Sequence, residues 1–310
     1  MRIIADYRSL QPQDRGATAA IGNFDGVHIG HRSVIDMARN ACPDAPLGVL
    51  TFNPHPREYF APHAPPFRLM SPHARQSRLR KIGVDLLFEL PFDAALANMS
   101  PEDFAREVIS RGLGLRHVVV GENFRFGHQR RGRAEDMVRF GAAMDFGVTV
   151  APLLGDSGKT VSSSAIRRAL AEGRPRDAAE MLGHWHRIEG PVITGARRGR
   201  ELGFPTANMS IDGLLPPAFG VYAVLVDVCD GPHKGSYLGA ASIGVRPMFG
   251  ENRPNLETFL LDFSGDLYGA TLSVGLVEYL RPEQTFDSLD ALITRMEHDC
   301  TQARAVLARI

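Results

Sequence analysis

Cysteine is scarce: Cys42, Cys229 and Cys300 are the only three in a chain of 310 residues. Their odd number and wide scatter argue against a disulfide framework. Net charge is absent as well. Lysine plus arginine total 35 and aspartate plus glutamate total 35, so no global field draws the chain to nucleic acid or to a membrane surface. No apolar run reaches the roughly 20 residues that span a bilayer. The first residues, MRIIADYRSLQPQD, lack the apolar core and cleavage site of a secretory leader. The expectation is a cytoplasmic protein with neither a nucleic-acid nor a membrane partner. The rest of the composition, 44% apolar and 23% charged, is that of a globular protein, and the length favours two domains.

Against this plain background one stretch stands out, GNFDGVHIGH at residues 22–31. An apolar run, Ala17 to Ile21, precedes it, and the amphipathic HRSVIDMARNA follows. Strand, Gly-rich turn and helix in that order present backbone N–H groups and a helix N-terminus to phosphate. The turn itself, Gly22, Asn23, Phe24, Asp25 and Gly26, is the candidate phosphate cradle. His28 and His31 share one face if the helix starts near His28, where two imidazoles can offset charge that builds at phosphorus. A zinc pair would need further ligands at recognisable spacing, and a P-loop would need its Gly-Lys-Ser/Thr half; neither is present. A Gly-rich connector with two solvent-facing histidines also fits the local pattern.

Strand and helix patterns then alternate. Leu47 to Phe52, Asp85 to Leu90, His117 to Val120 and Val148 to Pro152 read as strands of a parallel sheet. Helical spacing covers Pro72 to Gly83, and a helix capped by Ser100 and opened by Pro101 runs to about Gly112. This alternation predicts a Rossmann-like, doubly wound α/β domain. Its loops carry chemistry. NPHP, residues 53–56, stops the first of these strands where ligand loops emerge. GENFRFGHQRRG, residues 121–132, crowds arginines among Phe124 and Phe126; a solvated basic turn, an RNA contact and a grip on phosphate or a planar ring all fit it. TVSSSAIRRALAEG, residues 160–173, offers Ser162 to Ser164 as helix-capping hydroxyls beside Arg167 and Arg168. A capped surface helix and a phosphate site both fit there.

After MLGHW the pattern changes. RIEGPVI, VYAVLVDV, YLGAASIGV, LETFLLDF and LYGATLSVGLVEYL, joined by Gly/Pro/Asp turns, predict a small antiparallel β-barrel. A closing helix over Ser288 to Ile310 places Leu289, Leu292, Ile293 and Met296 on one face. Within this part, the Gly/Arg loop of TGARRGRELGFPTANM ends in Thr206 and Asn208, hard oxygen donors suited to magnesium held with ATP phosphates. Glu257, in LETFLLDF, is on local pattern a glutamate on the solvent face of a strand.

GNFDGVHIGH, TFNPHP, GENFRFG, VSSSAIR and GFPTAN, in this order and over nearly the whole chain, resemble the bacterial bifunctional riboflavin kinase/FMN adenylyltransferases, also called FAD synthetases. The resemblance implies an adenylyltransferase domain over residues 1–183 and a riboflavin kinase domain over 184–310. It implies riboflavin, FMN and ATP as substrates, Mg²⁺ as the cofactor accompanying ATP, and flavin as substrate and product. By the same resemblance His28, His31 and Asn123 serve adenylyl transfer, with the 22–26 turn, Ser163, Ser164 and Arg167 on ATP. Asn53, Pro54, His55, Pro56, Phe124 and Arg125 line the flavin side. In the kinase, Gly199, Arg200, Thr206 and Asn208 hold ATP, Thr206 and Asn208 hold the metal, and Glu257 is the general base. Departures from the family pattern are Ser164, Met70 and Met248, each where threonine is usual, and His184-Trp185-His186 in place of Arg-Pro-Tyr. The resemblance leaves the oligomeric state open.

Overall fold

The computed structural model describes residues 1–152, 155–156, 159–194, 203–248 and 251–310. Its contacts divide the chain into two compact units. One comprises Met1–Ala64 with Arg75–Val161, the other Pro65–Ala74 with Ser162–Ile310.

The first unit is built on six strands: β1 (Arg2–Ile4), β2 (Thr18–Ile21), β3 (Leu47–Asn53), β4 (Leu86–Pro91), β5 (His117–Gly121) and β6 (Gly147–Ala151). They lie in the order β1-β4-β3-β2-β5-β6, and every pairing is parallel. Four of these strands were expected after the first apolar run. β1 was not, being three residues at the sheet edge. Side chains alternate between two covered faces. Ala17, Ala19, Ile21, Leu50, Phe52, Phe88, Leu90, Val118 and Val120 face a core closed by Phe104, Val108, Ile109, Met137 and Phe140. On the opposite face Thr18 donates to the Ala38 carbonyl of α1 (Ile29–Ala41) at 2.9 Å. The helix opened by Ser100 is observed, and it becomes π-wound over Phe104–Gly112. The strand order reverses at β2: β3 lies on one side of it and β5 on the other. Such a reversal opens a crevice at the carboxyl ends of the strands. The GNFDG turn leaves β2 there.

In the second unit six strands form one antiparallel sheet: β7 (His186–Pro191), β8 (Thr206–Ser210), β9 (Gly220–Val228), β10 (Gly235–Met248), β11 (Glu251–Leu260) and β12 (Thr271–Pro282). Their order is β7-β12-β9-β10-β11-β8. A bridge from Ile193, just beyond β7, to Asn208 of β8 brings the two edges together into a near-closed barrel. Alternate residues fill the lumen, among them Met209, Tyr222, Val224, Ile243, Leu256, Val274 and Leu276. The C-terminal helix (Leu289–Leu307) packs outside, against β9, β10 and β12. Its buried positions are Asp299, Ala303 and Leu307. Of the expected apolar stripe, Leu292, Ile293 and Met296 are half-buried and Leu289 is 56% exposed, while full burial falls on the C-terminal half. A helix pair, Ser163–Ala171 and Pro175–Leu182, joins Leu69 in a smaller core of the same unit.

Candidate active sites

In the first unit the crevice is lined by loops from three adjacent strands. From β2, the turn passes through Phe24 (φ 51°), Gly26 (φ 90°) and Val27 (φ 43°) before α1 begins. Left-handed values at Phe24 and at β-branched Val27 are costly, and such backbone is held only where its surroundings over-determine it. Both residues are almost fully buried. His28 is the N-cap of α1, its Nδ1 accepting from the His31 amide at 3.2 Å. That bond leaves Nε2 to carry the proton of the neutral ring. The two imidazoles stack with centroids 3.6 Å apart at 16°, and Phe24 packs against His31 at 5.1 Å. A side chain at residue 30 would bring a Cβ to 3.1 Å from the His28 ring, so Gly30 keeps the stack free. Burial, and then the neighbouring His28, hold the His31 pKa well below its usual value. The pair is therefore placed to meet phosphate at a helix N-terminus, with His28 presenting its Nε2–H, and an arriving phosphate would favour protonation of His31.

The neighbouring loops bring the other expected residues to the same edge. β3 ends at Asn53, and Pro56 opens a short helix, Pro56–Phe60, capped reciprocally by His55 and Glu58. Next to it Tyr59, Phe60, Phe92 and Phe52 form an edge-to-face aromatic cluster. After β5, Asn123 and Arg125 are exposed, while Phe124 stacks on Phe126 at 5.3 Å. His28 and His31, Asn53 to Pro56 and Asn123 to Arg125 thus gather on one rim.

The serine motif belongs to the second unit. Ser162 caps its helix, accepting from the Ala165 amide at 3.2 Å, and Ser163 and Ser164 form the first turn. Arg167 donates from Nε to the Phe67 carbonyl at 2.7 Å, its guanidinium lying over the Phe67 ring. Arg168, one position on, is exposed.

The barrel carries its own polar row. Thr206 and Asn208 lie on β8, and Asn208 stands in register with Glu257 of β11, which stands in register with Ser242 of β10. Residues paired across antiparallel strands share a face. Leu256 and Leu260 fill the lumen, so the row lies on the outer face. The C-terminal helix packs on the same outer face, against β9, β10 and β12. Asn255 donates to Glu257 Oε1 at 3.4 Å. Asn208 donates from Nδ2 to the Thr206 carbonyl at 3.2 Å, a bond in which its amide oxygen takes no part. Gly199, Arg200 and the side chain of Met248 lie outside the described residues.

Sequence reasoning missed Ser242, which meets Glu257 through strand register, and Asn255, which lies two residues before it on the same face of β11. It also missed Arg75. Basic character over Pro72 to Gly83 was visible, but not which arginine turns inward.

Comparison with known proteins agrees with both halves of the molecule. Residues 10–165 match the family described as FAD synthetase and residues 182–307 that of riboflavin kinase. The bifunctional riboflavin kinase/FMN adenylyltransferase of Pseudomonas fluorescens is 39% identical, with 99% of this chain and 98% of the relative covered. The Escherichia coli K12 enzyme of the same name is 35% identical over 98% and 97%, and that of Bacillus subtilis 33% over 98% and 96%. A solved structure from Streptococcus pneumoniae, described as a macrolide-efflux protein, superposes with a TM-score of 0.82 at 29% identity, covering 96% of each chain. Among the described residues, no helix of the present chain is long and apolar enough to cross a membrane. The chain belongs to the bifunctional riboflavin kinase/FMN adenylyltransferase family.

Proposed function

We propose that the chain runs both reactions of its family with the residues described above, the adenylyltransferase over residues 1–183 and the riboflavin kinase over 184–310. Each reaction then has its own set of charge-handling groups. The observation that carries the reading is the pairing of a stacked histidine couple at a helix N-terminus with a separate barrel whose one outer row holds Asn208 and Glu257.

In adenylyl transfer, an FMN phosphate oxygen attacks the α-phosphorus of ATP and pyrophosphate leaves. No protein nucleophile is required. The Nε2–H of His28, the imidazole of His31 and the first amides of α1 stabilise the charge gathering on the phosphates, and the 22–26 turn with Asn123 orients them. Ser163, Ser164 and Arg167 hold ATP, and the 53–56 loop with Phe124 and Arg125 receives the flavin. In the kinase, Glu257 takes the proton of the ribityl 5′-hydroxyl as that oxygen attacks the γ-phosphorus and ADP leaves.

The donor set fits Mg²⁺. Among the described residues no group of three or more His, Cys, Asp or Glu side chains could cage a metal. Magnesium is usually held by one or two protein oxygens together with substrate phosphates, and Thr206 and Asn208 supply such oxygens. When bound, the ion neutralises phosphate charge. The reading also puts the enzyme in the cytoplasm, where ATP is supplied, with small-molecule partners and no nucleic acid.

The test is a chromatographic assay with riboflavin, ATP and Mg²⁺. The parent should form FMN and then FAD. Glu257→Ala should leave riboflavin unconverted yet adenylylate supplied FMN, and His28→Ala should stop at FMN. Absence of both products from the parent would overturn the reading.

A further inference from the structure

We propose that Arg75 is a positioning residue for FMN adenylylation, holding the turn that presents His28 and His31 through the backbone carbonyl of Asn23. The proposal rests on the assignment of those histidines above.

Arg75 lies on the helix Pro72–Lys81, with its side chain 3% exposed. One arm of the guanidinium, Nη1, donates to the Asn23 carbonyl at 3.1 Å and to Thr51 Oγ1 at 3.2 Å. The other, Nη2, donates to Glu89 Oε1 at 2.5 Å. Thr51 also donates to the Asn23 carbonyl, at 3.2 Å, and Gln76 donates to Glu89 at 3.0 Å. Thr51 and Glu89 are register partners on β3 and β4, so the fork is seated on the rigid part of the sheet. Its target is the carbonyl immediately before Phe24, where the backbone turns left-handed and stays largely so until His28.

That placement explains a buried charge that stability alone does not require. A buried ion pair is roughly neutral against a well-packed apolar substitute. A planar fork reaching a carbonyl with one arm and a carboxylate with the other does what a point charge on a flexible stem cannot. The strained turn needs an external tether, and two donors converge on a single carbonyl at its start. A small displacement of that carbonyl moves the N-cap imidazole and the helix N-terminus together.

The experiment uses the full chain, so that riboflavin phosphorylation reports folding while FMN adenylylation reports the site. Arg75→Met and Thr51→Val should each lower the kcat of FMN adenylylation about ten- to a hundredfold. KM for ATP and for FMN should stay within about threefold, and Thr51→Ser, which keeps the hydroxyl, should restore kcat to within about threefold of the parent. FMN formation from riboflavin should stay at the parental rate. Parental adenylylation in Arg75→Met and Thr51→Val, an effect confined to KM, or a Thr51→Ser enzyme as impaired as Thr51→Val would overturn the proposal. If Arg75→Met also loses riboflavin phosphorylation, the two Thr51 variants decide. His28→Ala, run alongside, separates the levels. If it adenylylates FMN at the parental rate, the histidine assignment fails and this proposal with it. If it is inactive while Arg75→Met and Thr51→Val are not, this proposal alone fails.

Discussion

His31 lies flat against His28, ring on ring at 3.6 Å, while its own amide is the donor that fixes the His28 ring. The second histidine therefore orients the first by both stacking and hydrogen bonding. His28→Asn separates cap from chemistry, because asparagine is among the best N-caps. The helix should keep its start, and riboflavin phosphorylation should be unchanged. FMN adenylylation should fall by about a hundredfold or more, the usual effect of removing one pre-placed donor. Single-turnover conversion of FMN to FAD measures it.

Glu257→Gln keeps the shape of the side chain and the hydrogen bond from Asn255, and removes the base. Riboflavin phosphorylation should drop by about 10²–10⁴-fold, the range for loss of general-base catalysis. Conversion of supplied FMN to FAD should be unaffected. A matched fall in both reactions would point to misfolding instead.

His186 makes stability depend on pH. It is 4% exposed, and burial, with a smaller contribution from His184, holds its pKa at about 3 against the usual 6.5. Above pH 6.5 neither the folded nor the unfolded chain protonates it, and its effect is nil. Between 6.5 and about 3 only the unfolded chain gains the proton, so stability declines by up to ~1.4 kcal/mol per pH unit. Denaturant unfolding at pH 7.5 and 5 should therefore differ by about 2 kcal/mol less in His186→Tyr than in the parent.

Asp299, 3% exposed on the C-terminal helix, accepts Arg281 at both carboxylate oxygens, at 2.7–3.1 Å, and pairs with Arg295 at 3.1 Å. Asp299→Ala leaves these guanidinium groups without their carboxylate and should cost about 3 kcal/mol or more. Trp185, the single tryptophan, packs in the cluster under this helix, so its fluorescence should follow the loss.

Thr258 presents the opposite case. It is fully buried on the lumen face, and its hydroxyl has no hydrogen-bond partner among the described residues. Thr258→Val should be neutral, or stabilising by up to about 1 kcal/mol, in thermal unfolding.

Much of this was legible in the chain because the signals are local. Ser100 and Pro101 announce a helix within four residues, and each parallel strand reads as a short apolar run. The spacing of His28 and His31 needed only the helix period to bring them together. What stayed hidden depends on distant pairing. Arg2–Ile4 becomes a strand only because β4 is beside it. The buried half of the C-terminal helix is set by Arg281, 18 residues away in sequence, and no amphipathic pattern would choose Asp299 as an inward position. Ser242 meets Glu257 through register alone. Arg75 shares its helix with Arg78 and Arg80, and nothing in their spacing says which one finds a carbonyl.

The outer-face row on the barrel divides a single strand between two kinds of selection. Along β11, Leu256, Thr258 and Leu260 answer to the lumen, while Asn255, Glu257 and Phe259 answer to the face that carries Asn208. Mutational tolerance there should alternate with a period of two. Charged substitutions at the even-numbered positions should lose expression, and substitutions at the odd-numbered ones should lose turnover at normal expression. The core can then drift in volume without touching the reaction, but a one-residue slip in register would exchange the two sets and abolish both at once.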